Sequence, residues 1–187
     1  MFKKSIILIL LLLTITSMSQ ARKIGSVNLP NTILLGEEQL ILNGAGFRKK
    51  FFKKVYAGGL YLSKKENNAH NIINADEPMM IRMHFVYDGI DGNKLINAWN
   101  EGFDKATNGD TSSIKEEIER FNSFFIQKAR KGDIYHIIYQ PKEGVRVDIK
   151  GKRMGTIKGL DFKKAVFAIW LGERPAQKSL KKEMLGK

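Results

Sequence analysis

The chain has 187 residues, with 32 Lys and Arg against 19 Asp and Glu, giving a net charge of +13. It contains no cysteine, which excludes a disulfide framework and leaves stability to packing. It is long enough to bury one sizeable core without covalent staples.

Lys3 and Lys4 precede an apolar run over residues 5–14, and Ser19-Gln20-Ala21 follows as a small-x-small sequence. The run is shorter than the roughly 20 residues a spanning helix needs. This pattern predicts a signal peptide over residues 1–21, cleaved near Ala21, and one mature domain over residues 22–187. The destination is then periplasmic or secreted, and an uncleaved anchor is the alternative. Loss of Lys3 and Lys4 leaves 30 basic residues against 19 acidic ones, a surplus of eleven. The lysines are spread along the chain and no nucleic-acid module is present, so the charge reads as solvated surface. Peripheral contact with an anionic membrane is the partner such a surface permits; nucleic acid is not expected, and the protein is expected to be a monomer.

Pro30 and Gly36 punctuate residues 25–39, where alternation suggests one or two short edge strands. Strand signals return at residues 39–42 and 51–62. The glycines of Asn43-Gly44-Ala45-Gly46 between them suit a tight or φ-positive turn, and they also let the backbone come close to another group. Arg48 sits just past that bend, where its guanidinium could turn inward toward an oxygen anion. It also opens a basic string with Lys49, Lys50, Lys53 and Lys54, which by spacing alone is a solvated hairpin end.

Residues 68–74 suggest a helical turn before Pro78. Residues 79–86 alternate as a strand, Met79, Ile81, Met83 and Phe85 against Met80, Arg82, His84 and Val86. Asp91 is a candidate N-cap for a helix to Ala106 with Leu95, Ile96, Trp99 and Phe103 as its stripe. Ser113-Ile114-Lys115-Glu116 reads as a capping box for a second helix, striped by Ile114, Ile118, Phe121 and Phe125 and stopped by Gly132. Three strands follow at residues 133–140, 145–149 and 152–157, a meander. Leu160, Phe162, Val166, Ile169 and Trp170 then mark a helix ended by Gly172, and Pro175 suits the first turn of a last one. This order predicts an α+β domain, an antiparallel sheet with helices on one face.

Metal chemistry has no support, because His70, His84 and His136 are scattered and no carboxylate cluster joins them. Nucleotide loops and nucleophile elbows are absent too, so no cofactor is expected.

Gly44-Ala45-Gly46-Phe47-Arg48, followed by Ala57-Gly58-Gly59-Leu60-Tyr61-Leu62, resembles the paired blocks of the chalcone isomerase family. The later segment, Leu171-Gly172-Glu173 through Pro175-Ala176-Gln177-Lys178-Ser179-Leu180, is similar to that family's closing block. The resemblance spans about residues 23–185 and implies an open-faced β-sheet sandwiched with helices on one side. It also implies that Arg48 is the arginine that stabilises the enolate-like oxygen anion during flavanone ring closure, without a cofactor.

Other positions depart from the enzymes. Tyr56 falls where plant members place a threonine hydroxyl. Their Y-x-x-K-x-x-x-N helix motif aligns with Asp91-Gly92-Asn93-Lys94 through Ala98, so Lys94 corresponds while the tyrosine and asparagine are lost; Asn97 could substitute if the register slips. An incomplete positioning network argues against efficient isomerisation. The resemblance extends to fatty-acid-binding members that keep an arginine and a tyrosine for the carboxylate. The expected function is therefore a non-catalytic binder of a fatty acid or other apolar carboxylate. Arg48 with Tyr56 or Tyr61, helped by Lys94 and Asn97, would hold the anion, and Trp99, Phe103, Phe167 and Trp170 would wall the tail. The alternative is a cofactor-independent isomerase or intramolecular lyase with Arg48, Tyr56 and Lys94 as its catalytic set.

Overall fold

The computed structural model describes residues 21–187; the predicted signal segment, save Ala21, lies outside the described residues. Nine strands and five helices follow the order β1 (Ala21–Ile24), β2 (Val27–Pro30), β3 (Thr32–Leu35), β4 (Glu38–Lys50), β5 (Lys53–Leu62), α1 (Ala69–Asn74), β6 (Met79–Phe85), α2 (Gly92–Ala106), α3 (Lys115–Ser123), β7 (Ile134–Gln140), β8 (Gly144–Ile149), β9 (Lys152–Ile157), α4 (Leu160–Leu171) and α5 (Lys178–Met184). Strands β3 to β9 form one antiparallel sheet in sequential order. Strands β1 and β2 make a separate hairpin.

The period-two alternation of the strands sends their residues to two unequal cores. Leu60, Ile81, Met83, Phe85, Ile137 and Val147 face the helices and pack with Trp99, Phe103, Phe121, Phe162 and Trp170. On the opposite face Leu42, Ala57, Tyr61, Met80 and Ile138 pack with Val27 and Leu29 of the β1–β2 hairpin. The helices thus occupy one face, as the element order predicts. Helix α4 is buried along most of its length because the sheet, α1, α2 and α5 all pack against it.

One prediction fails at the heart of the chain. Asn43-Gly44-Ala45-Gly46 is no turn: β4 runs through it for 13 residues, with a bulge between Leu42 and Gly44, and neither glycine has positive φ. The glycines are required by close approach. A Cβ on Gly44 would lie 2.2 Å from the Glu183 carbonyl oxygen and 2.6 Å from that of Met184, both at the end of α5. A Cβ on Gly46 would lie 1.6 Å from the Glu183 carboxylate. Beside them, buried Asn43 donates to the carbonyls of Glu66 (2.8 Å) and Met184 (2.9 Å) and accepts from the Glu66 N–H (3.0 Å).

The reversal between β4 and β5 comes instead at Phe51 and Phe52, with φ of 47° and 64°. Two consecutive left-handed residues make the hairpin turn whose preferred sequence is Asn-Gly, and a bulky residue there costs about 1–2 kcal/mol.

Three local signals point to the wrong place. The Ser113 capping box does not form: residues Ser112–Ile114 are a 3-10 turn, and α3 begins at Lys115 without a side-chain cap. Helix α3 ends at Ser123, nine residues before Gly132, where the chain leaves to bridge Ala129 with Ile90. Pro175 precedes α5 rather than opening it, because Gln177 is the cap residue.

Candidate ligand-binding site

Between β4, β5 and β6 on one side and α2 on the other lies a cavity of about 670 Å³, floored by Ile169 of α4. That volume falls within the roughly 300–1,000 Å³ range of small-molecule sites. Val55, Met83, Leu95 and Trp99 supply apolar wall. Arg48, Lys50, Lys53, Lys94 and Lys105 supply cations, against one carboxylate, Glu101, which pairs with Lys105 at 2.5 Å. The Lys105 hydrogen bond and charge, with Lys50 and Arg48 beyond, hold Glu101 below the usual carboxylate range.

Arg48 and Tyr56 are directly opposed across the β4–β5 ladder, so their side chains leave the same face of the sheet. Arg48 is half-buried. Its Nη1 donates to the Lys49 carbonyl and to Gln177 Oε1 at 3.3 Å. Gln177 is itself fixed, accepting from the Lys49 N–H at 2.7 Å and donating to the Phe47 carbonyl at 3.0 Å and Ser179 at 2.7 Å. Among the described residues Arg48 has no carboxylate partner. A guanidinium so tethered keeps donors for an anion while losing rotational freedom.

Tyr56 is 6% exposed, and its hydroxyl accepts from the Trp170 indole N–H at 2.9 Å. Burial pushes its phenol up, with the Trp170 hydrogen bond and the Arg48 charge pulling the other way. It is therefore a neutral hydroxyl that still has its own proton to donate.

Of the sequence-predicted residues, Arg48, Tyr56, Lys94, Asn97 and Trp99 line the cavity. Lys94 sits at the rim, its side chain 75% exposed and paired with Asp91 at 3.8 Å. The other four are placed elsewhere. Tyr61 projects from the opposite face of β5, where its hydroxyl donates to the Pro30 carbonyl at 2.9 Å under the β1–β2 hairpin. Phe103 lies one helical turn beyond Trp99, packed between Phe121 and Phe162. Phe167 is fully buried core, and Trp170 acts through Tyr56 rather than on the cavity. Missed by the sequence reading are Lys50, Lys53 and Lys105 at the mouth, and Gln177, whose only signal is its place in the closing motif.

The two motif blocks are thus one structure: the glycine-rich stretch of β4 receives α5, and Gln177 orients Arg48. The sequence matches the chalcone isomerase-like family over residues 21–186. This chain belongs to that family. Its fold superposes on the crystal structure of a fatty-acid binding protein from Arabidopsis thaliana with a TM-score of 0.71 and 21% identity, covering 85% of this chain and 91% of that one. At that identity the likeness shows the shared chalcone isomerase-like fold. Comparison with curated proteins gives no significant sequence match.

Proposed function

We propose that this chalcone isomerase-like protein is an exported, non-catalytic binder of a fatty acid or another apolar carboxylate. The carboxylate sits against Arg48 and the Tyr56 hydroxyl, and the tail lies along Val55, Met83, Leu95 and Trp99. The observation that carries this reading is a half-buried guanidinium, tethered by Gln177 and lacking a carboxylate partner among the described residues, beside an apolar cavity. Charge-assisted hydrogen bonds to such a group contribute about 1.5–3 kcal/mol, enough to select an acid over its ester. The same fold in a fatty-acid binding protein supports the ligand class. Cleavage after Ala21 would cost β1 only its first pair, Ala21 with Pro30, so the ordered domain tolerates the processing that export requires.

Titration of a long-chain fatty acid and its methyl ester into wild type and Arg48→Ala tests the reading. The acid should bind the variant at least tenfold more weakly, the roughly 1.4 kcal/mol of a lost charged contact. The ester should not distinguish the two proteins. Equal affinity of the acid for both removes the proposal.

A second reading keeps the same pocket. A protonated phenol beside a fixed cation also suits stabilisation of a developing oxyanion, the requirement of a cofactor-independent isomerase. Turnover of an enone panel that vanishes in Arg48→Ala would favour it over binding.

A further inference from the structure

Phe51 and Phe52, at the tip of the β4–β5 hairpin, are 84% and 103% exposed, the most exposed large apolar side chains among the described residues. Both adopt left-handed backbone that Asn-Gly would occupy without strain. Strain held at an exposed, non-packing position points to a role outside the folded core.

The residues around them are equally unfavourable for an isolated protein. In the ladder Lys49 opposes Lys54 and Lys50 opposes Lys53, like charges set directly across from each other. With Arg48 they place five cations within seven residues, and none forms an ion pair among the described residues. Tyr87, 38% exposed, adds a third aromatic ring beside Lys53 Nζ, 3.2 Å from its hydroxyl. The tip also projects: the β5–β6 ladder begins at Tyr56, with the Val55 carbonyl accepting from the Val86 and Tyr87 N–H groups just beyond it.

We propose that this tip docks the protein on an anionic lipid bilayer, with Phe51 and Phe52 inserted at the headgroup boundary and the flanking lysines on lipid phosphates. Aromatic rings carried on a cationic collar are matched to that interface, where an apolar layer begins beneath a negative surface. A convex tip is a wedge, without the groove that tracks a nucleic-acid strand. No helix of the described residues is long and apolar enough to cross a membrane. Lys50, Phe51 and Lys53 also line the mouth of the cavity. Docking therefore sets that mouth against the bilayer, which would let an apolar acid pass between lipid and protein without crossing water. The docking itself does not rest on the ligand reading; this last consequence does.

The test is sedimentation of ligand-free protein with phosphatidylcholine vesicles, with and without phosphatidylglycerol. Wild type should bind the phosphatidylglycerol vesicles about tenfold or more tightly than the neutral ones. Phe51→Asn with Phe52→Gly should lose about tenfold of that affinity while its melting temperature holds or rises, because the turn strain is relieved. Comparing the same full chain cancels any contribution of residues 5–14. Phe52→Trp supplies an independent signal: the emission of the introduced indole should shift to the blue on vesicle addition and be quenched by brominated acyl chains. Equal binding by the Asn-Gly variant, or an unshifted emission from the Phe52→Trp variant, overturns insertion and leaves charge alone. So does a dimer dissolved by the same substitutions, or equally tight binding to an oligonucleotide. Failure of these tests leaves the Arg48→Ala titration, done without vesicles, unaffected.

Discussion

The Trp170 indole nitrogen donates to the Tyr56 hydroxyl across 2.9 Å, joining α4 to the strand that opposes Arg48. Tyr56→Phe would leave that buried N–H without an acceptor, a loss of about 1–3 kcal/mol. Urea unfolding should show the midpoint fall accordingly. Fatty-acid titration should show weaker binding of the acid and unchanged binding of its ester.

Gly44 meets backbone and Gly46 meets a flexible side chain, so their alanine variants should differ. Gly44→Ala drives a methyl into the carbonyls of Glu183 and Met184, which cannot move without displacing α5. A loss of at least about 2 kcal/mol is expected. Gly46→Ala should cost less, because the Glu183 side chain can swing away. Thermal melts of the two variants side by side check the order; a smaller loss at position 44 would contradict the packing account.

Acid sensitivity should come from His136. Burial, then the charges of Arg82 and Arg146, hold its pKa at about 4, and Arg82 Nη1 donates to its Nε2 at 2.8 Å. The neutral imidazole accepts that bond, so the folded state resists the proton that the unfolded chain takes up near its ordinary value of 6.5. Between these pH values the unfolded chain binds more protons, and stability should fall as pH drops from about 6.5 to about 4. The total is of order 2–3 kcal/mol. His84 is lowered too, by burial and then Arg82, and adds in the same direction. His136→Gln should flatten much of this limb in melting temperature against pH.

Lys163 is fully buried, and its ammonium donates to the carbonyls of Ile72 (3.0 Å), Ile73 (2.8 Å) and Ala75 (2.6 Å) at the end of α1. Lys163→Met keeps the apolar stem and strands those carbonyls, an expected loss of about 2–4 kcal/mol. Hydrogen exchange should show the damage concentrated in α1, which has six residues and little stability of its own.

The meander and helices α2 and α4 are legible because alternation and helical stripes are local properties of a few neighbouring residues. The glycines of β4 are not, since glycine marks both turns and close approaches, and here the approaching group is α5, some 140 residues away. Arg48 and Tyr56 come from the family blocks, and the structure places them opposite each other across one ladder. Tyr61 lies away from the cavity, because the sides of a strand cannot be told apart before one knows which is roofed by helices. Phe103 lies in the core beside the cavity, because one stripe on α2 serves both the cavity, at Trp99, and the solid core a turn later. The exposed Phe51 and Phe52 read as the start of a strand only while the turn is placed at residues 44–46.

Asn43 reaches Met184 across 141 positions of sequence, and the helix it secures begins after Gln177, the residue that tethers Arg48. Loops that long close slowly, whereas the hairpins of the meander need only neighbours. The sheet is therefore expected to assemble ahead of the α5 contacts, and a chain whose α5 has yet to be made would display a nearly finished sheet with Arg48 still untethered.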